Sequence, residues 1–153
     1  MRPRVKFGLI VGGIGLILNC VVAAAFGVCG PFLALAAGAT AGYLASQQEK
    51  PPSKADGARL GATAGGIAGA LIFVGQIVGA IGVLAFFQLT GLHLPFGNAP
   101  APGSDAPMMI AYYLSGLGVG ICFGTLGIVA AALGGGGAGY LATPSPADPR
   151  MMA

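Results

Sequence analysis

Three long stretches of this chain contain no Asp, Glu, Lys or Arg: Phe7 to Gln48, Leu60 to Ser104 and Ala106 to Ala147. About 20 apolar residues cross the hydrocarbon core of a bilayer, so each stretch is membrane-length or longer. Only 7% of the 153 residues are charged and 56% are hydrophobic. An ordinary soluble domain carries about 25% charged residues, and a fold of this size built with so few could not cover its surface in water. Lipid satisfies no backbone group, which leaves helices or a closed β-barrel as spanning structures. Barrel strands alternate apolar and polar residues, whereas these runs are apolar all round, so the chain is read as all-α.

The first run is long enough for two crossings, and Cys29, Gly30 and Pro31 supply a turn within it, because proline cannot continue a helix interior. Four transmembrane helices are predicted: Phe7 to Phe26, Phe32 to Ser46, about Leu60 to Leu89, and about Met109 to Leu141. The last two exceed the usual span, which predicts tilt, kinking or protrusion. The whole chain forms one membrane domain: hairpin 1 over 7–46, a linker over 47–59, hairpin 2 over 60–142 with an outer loop at 91–108, and a tail at 143–153.

The seven basic residues give the orientation. Arg2, Arg4 and Lys6 precede the first helix, Lys50, Lys54 and Arg59 lie between the hairpins, and Arg150 follows the last helix. With four crossings all of them share one side, and the positive-inside rule makes that side cytoplasmic, with both termini in. The net charge of +3 is then explained by topology and attraction to anionic lipid, and no nucleic-acid partner is expected. The opening RPRVK and its apolar run also have the outline of a secretory signal, with Ala23 and Ala25 as small residues and ILNC ending at Cys20 in the manner of a lipoprotein box. Asn19 stands where that box takes Gly or Ala, so the segment is read as a retained helix.

The two hairpins share sequence. GATAGYLAS at 38–46 matches GGGAGYLAT at 135–143, and KFGLIVGGI from Lys6 matches RLGATAGGI from Arg59. Each unit holds two crossings, so the copies form a parallel repeat about an axis along the membrane normal. AGYLA then closes each hairpin at the cytoplasmic face, with Tyr43 and Tyr140 at the interface, where an amphipathic ring is favoured. In this texture and in the repeated AGYLA ending, the chain resembles the uncharacterised small Gly/Ala-rich multi-pass membrane proteins of bacteria. That resemblance implies a location in the bacterial cytoplasmic membrane and no known activity.

Many of the 29 glycines fall in sets spaced by four residues, as in Gly61, Gly65 and Gly69 and again in Gly116, Gly120 and Gly124. Four residues advance a helix by about 400°, so each set lies along one face. Small residues so spaced let helices approach closely in lipid, where the hydrophobic effect gives them little reason to associate. These faces are expected to pack the bundle internally, and one of them, Gly116 to Gly124, to face a partner subunit or a second copy.

Within the spans no carboxylate, lysine or arginine marks ion or proton coupling. Paired glycine-rich helices resemble the rotor proteolipids of rotary ATPases, yet the membrane-buried acid on which those depend has no counterpart here. Asn19 and Gln76 fall at similar depths and are expected to hydrogen-bond between helices, with Thr125 a further interhelical polar contact. Cys20, Cys29 and Cys122 lack metal-site spacing, and His93 stands alone in the outer loop. The deep thiols are read as apolar fillers and Cys29, near the outer face, as open to oxidation. No phosphate loop, nucleophile elbow or carboxylate pair is present, so no enzyme, cofactor or metal is expected. Two functions remain: a self-associating protein or accessory subunit of a membrane complex, or a small channel or carrier for a neutral or apolar solute lined by Asn19, Gln76 and Thr125.

Overall fold

The computed structural model describes residues 2–25, 30–91, 100–101 and 103–144, and these form four helices and no strand. They are α1 (Pro3–Ala25), α2 (Gly30–Glu49), α3 (Lys54–Thr90) and α4 (Ala106–Ala142). Each begins or ends outside the expected bounds for a local reason. Proline is tolerated in a first turn, where its missing N–H has no intrahelical partner, so Pro3, Pro31 and Pro107 sit inside helix starts instead of before them. α3 takes in the second half of the predicted 47–59 linker because Ser53 caps it: the Ser53 Oγ accepts from the Asp56 N–H at 3.2 Å and donates to the Asp56 carboxylate at 2.6 Å. Lys50 adopts a φ of 45° immediately after α2, and Gly91 a φ of 67° after α3, where its N–H reaches the Phe87 carbonyl at 3.0 Å. Cys29, His93, Arg150, half of the outer loop and most of the tail lie outside the described residues.

Contacts fix the directions of the helices. A Cβ placed on Gly8 would meet the Ala64 carbonyl at 2.9 Å and one on Gly12 the Ala68 Cα at 2.8 Å, so α1 runs parallel to α3. Gly38 stands against Ala131 and Gly42 against Gly135, so α2 runs parallel to α4. The Arg4 N–H donates to the Glu49 carboxylate at 3.0 Å, bringing the start of α1 to the end of α2. The bundle is therefore up-down-up-down. Its described basic residues, Arg2, Arg4, Lys6, Lys50, Lys54 and Arg59, gather at one end together with the end of α4, where the Lys54 ammonium lies 5.0 Å from the centre of the Tyr140 ring.

α2 and α3 form the middle of the bundle, touching each other and both outer helices, whereas no Cα of α1 comes within 8 Å of one in α4. A two-fold axis relating the hairpins would carry the α2–α3 contact onto an α1–α4 contact. The sequence repeat thus has no matching rotational symmetry in the packing. The copies also differ in sequence where they meet, since α1 carries Asn19 where α3 carries Ile72, and Leu16 where α3 carries Gly69.

The distribution of polarity is inverted relative to a soluble protein. The core is made mostly of alanine (Ala34, Ala41, Ala45, Ala64, Ala68 and Ala131) with Leu60 and Ile72, and Asn19 is 0% exposed. Large apolar side chains point outward: Phe32 is 76% exposed, Leu89 79% and Leu141 81%. Three helices, α1, α3 and α4, are long and apolar enough to cross a membrane, while α2 is shorter and less apolar.

Candidate functional site

The small-residue faces come together in the half of the bundle nearest the basic end. α4 lies in the groove between α2 and α3: Gly135 faces the Gly61 and Gly38 carbonyls, Ala131 faces Gly65 and Gly38, and Gly139 faces Gly57 and the Ser46 hydroxyl. The expected face of Gly61, Gly65 and Gly69 is thus filled by α4, with the Cα of Ile128 3.0 Å from a Cβ placed on Gly69. The glycines of Gly38, Gly42 and Gly135 are equally engaged, although their four-residue spacing alone could not say which helices they join.

The Gly116 to Gly124 face is also covered from within. Leu84 fills the space over Gly116, Phe73 that over Gly124, and the Ala80 methyl lies 3.6 Å from a Cβ placed on Gly120. This corrects the expectation that these three glycines face a partner. Their groove receives large side chains of α3, whereas that of Gly61 and Gly65 receives backbone.

Among the polar residues, the structure joins Asn19 and Gln76. The Asn19 amide nitrogen donates to the Gln76 side-chain oxygen at 2.9 Å and to the Ile72 carbonyl at 3.2 Å, tying α1 to α3. The Asn19 side-chain oxygen is buried without a partner. Beside Gln76 lies a cavity of about 10 Å³ lined by Gly30, Ala34, Gly69, Ile72, Gln76 and Gly124, near the size of one water. Thr125 does not join this pair. It is exposed, and its hydroxyl donates to the Ile121 and Cys122 carbonyls of its own helix at 2.7 and 2.9 Å. A threonine in a helix can satisfy itself in this way without any neighbour.

The thiols also differ from expectation: Cys122 is exposed on the flank of α4, while Cys20 is partly buried with its Sγ 3.5 Å from the Gly75 carbonyl. Sequence reasoning passed over Gln88, which is buried at the far end of α3. It accepts from the Tyr113 hydroxyl at 2.7 Å and donates to the Met109 sulfur at 2.8 Å, and the Tyr112 hydroxyl reaches the Leu84 carbonyl at 3.3 Å. Its signal was a lone amide among apolar residues, the same signal that singled out Gln76. Among the described residues no three of His, Cys, Asp and Glu gather into a metal site. Comparison with known proteins returns no match to a family model, a curated protein or a solved structure.

Proposed function

We propose that this is a small integral membrane protein of structural or interaction type, which self-associates or serves as an accessory subunit of a membrane complex. The inverted distribution of polarity carries this reading, with alanine and an amide pair inside and leucine, isoleucine and phenylalanine outside. Such a surface suits lipid and other helices. The glycine faces hold the fold itself together, so docking uses the apolar outer flanks.

All four helices cross the membrane in this reading. α1 and α3 run parallel, so the chain has to return between them, and the 20 residues of α2 measure about 30 Å, the thickness of the hydrocarbon core. α2 tolerates its weaker hydropathy because its small-residue face, from Ala34 to Ala45, is enclosed by protein. The basic end is cytoplasmic, with both termini, in the cytoplasmic membrane of a bacterium. Within the predicted spans there is no carboxylate, lysine, arginine or histidine.

A channel or carrier for a neutral or apolar solute has less support. The Asn19 amide nitrogen is taken by the Gln76 oxygen and the Ile72 carbonyl, the cavity beside them holds one water at most, and the Thr125 hydroxyl bonds within its own helix. Purification in mild detergent with crosslinking and mass spectrometry separates the readings. Stoichiometric partner chains or a defined homo-oligomer support docking, whereas a monomer that makes liposomes leaky to small neutral solutes refutes it. Reporter fusions at Pro52 and after Arg150 are expected on the same, cytoplasmic side.

A further inference from the structure

The fold gathers six basic residues at one end, Arg2, Arg4, Lys6, Lys50, Lys54 and Arg59, with two acids, Glu49 and Asp56. Both carboxylates are engaged by uncharged donors: Glu49 accepts from the Arg4 backbone N–H at 3.0 Å and Asp56 from the Ser53 hydroxyl at 2.6 Å. Among the described residues no ion pair joins a carboxylate to a basic side chain. Lys54 instead lies 5.0 Å from the centre of the Tyr140 ring. The third described acid, Asp105, precedes α4 at the opposite end of the bundle.

Within the basic end the arginines are drawn to one corner. α1 lies against α3 with Gly8 opposite Ala64 and Gly12 opposite Ala68, a register that one turn earlier sets Arg4 level with Leu60. Phe7 packs against the cluster that holds Leu60, in keeping with that register. Pro3 then stands level with Arg59, so Arg2, Arg4 and Arg59 meet although α2 and the linker separate them in the chain. Four residues turn a helix by about 400°, so Arg4 leaves α1 on the face of Gly8, toward α3, and it is half-buried. Arg59 is about 200° around α3 from Gly57 and Gly61, which face α4, so it points away from α4. Lys6 is about 200° around α1 from Gly8 and points away from α3.

Such a corner suits a phosphate. Guanidinium groups hold phosphate oxygens through paired N–H donors, and a half-buried one with no carboxylate beside it gains most from an anion. The next turn of α1 exposes Leu9 and Ile10, which offer hydrocarbon contact to whatever the arginines hold. We propose that Arg2, Arg4 and Arg59 bind the phosphate group of an acidic phospholipid whose acyl chains run along the exposed flank of α1. The site rests on the membrane-spanning reading given above, and beyond a general attraction to anionic lipid it places one lipid at one corner.

Native mass spectrometry of the full chain in mild detergent, with phosphatidylglycerol or with phosphatidylcholine of the same chains, tests the site. The parent should retain one phosphatidylglycerol in preference to phosphatidylcholine. A basic residue near an anionic lipid contributes about fivefold in affinity, so Arg4→Gln with Arg59→Gln should weaken retention about 25-fold. Lys6→Gln with Lys54→Gln removes the same charge away from the corner and should weaken it about twofold or less. Arg4→Lys with Arg59→Lys keeps the charge, loses the paired donors and should fall between the two; circular dichroism should show the helical content of the parent in all three. Equal weakening by both glutamine pairs, or equal retention of the two lipids by the parent, overturns the site. Full displacement of the lipid by glycerol phosphate at the same concentration also overturns it, since the ligand is then a free phosphate ester. Each of these failures leaves the docking of partner chains in place, whereas a chain that stays in solution without detergent refutes the membrane reading itself.

Discussion

A single methyl group added to α4 should have opposite consequences fifteen residues apart. At Gly120 a new Cβ lies 3.6 Å from the Ala80 methyl, an ordinary van der Waals contact, and alanine gains about 0.5–1 kcal/mol over glycine from reduced backbone freedom in a helix interior. Gly120→Ala should therefore be neutral or slightly stabilising. At Gly135 the same methyl runs into the Gly61 carbonyl on α3 and lies 3.0 Å from the Gly38 carbonyl on α2 and from the Gly65 Cα. These are backbone atoms on two different helices, and none can rotate aside as a side chain would. α4 must move out of its groove and loosen the neighbouring contacts at Ala131 and Gly139. Overpacking costs about 1–3 kcal/mol even where side chains yield, so a net loss of about 2 kcal/mol or more is expected for Gly135→Ala. That is roughly a thirtyfold change in the folding equilibrium. Unfolding in mixtures of mild detergent and dodecyl sulfate, followed by far-ultraviolet circular dichroism, measures both variants on one scale. Gly66→Ala serves as a reference, since nothing lies within 4 Å of a Cβ there. Equal stability of the Gly120, Gly135 and Gly66 variants would refute the claim that backbone contact at Gly135 holds α4 in place.

Three further outcomes follow from the polar groups. A double-mutant cycle of Asn19→Ala and Gln76→Ala should give a coupling of about 0.6–1.7 kcal/mol, the range for interhelical hydrogen bonds in membranes, and additive single effects would contradict the pairing. Ser46→Ala should be neutral or stabilising by about 0.5–1 kcal/mol, because the Ser46 hydroxyl is buried without a partner; a marked loss in the same unfolding assay would mean that it has one. Gln88→Leu should cost about 1 kcal/mol and speed hydrogen exchange in 83–90 and 109–116 while leaving 60–76 unchanged, since Gln88 and Tyr113 bond only at the far end of the pair. Uniform acceleration along α3 would contradict a local role.

The number of helices was legible because charge is excluded from apolar spans and collects between them. The bounds were less so. Pro31 read as part of a turn and Pro107 as part of the outer loop, yet both lie in first turns, and Ser53 with Asp56 was a capping signal hidden in what read as a linker. For the candidate site, Asn19 and Gln76 could be paired from the sequence because two lone amides at one depth in apolar helices have few other partners. The glycine faces could be listed but not assigned, because a spacing of four says that a helix has a smooth face and nothing about what meets it. That depends on the opposing side chains: Leu84 and Phe73 over Gly116 and Gly124, bare backbone over Gly61 and Gly65. The lack of symmetry between the hairpins was hidden for the same reason. Thr125 misled because a hydroxyl, unlike an amide, is satisfied by its own helix.

The modest hydropathy of α2 bears on how the molecule is made. In the four-crossing arrangement its face at Gly38 and Gly42 closes on Ala131 and Gly135, which belong to a helix that leaves the ribosome well after it. Until α4 arrives, a segment that lipid holds only weakly stays poised at the bilayer surface or enters beside α1, so the first hairpin waits on the second for its final seating. A chain cut short before Ala131 should therefore leave α2 accessible to water-soluble thiol reagents at an introduced cysteine, where the full-length chain shields it.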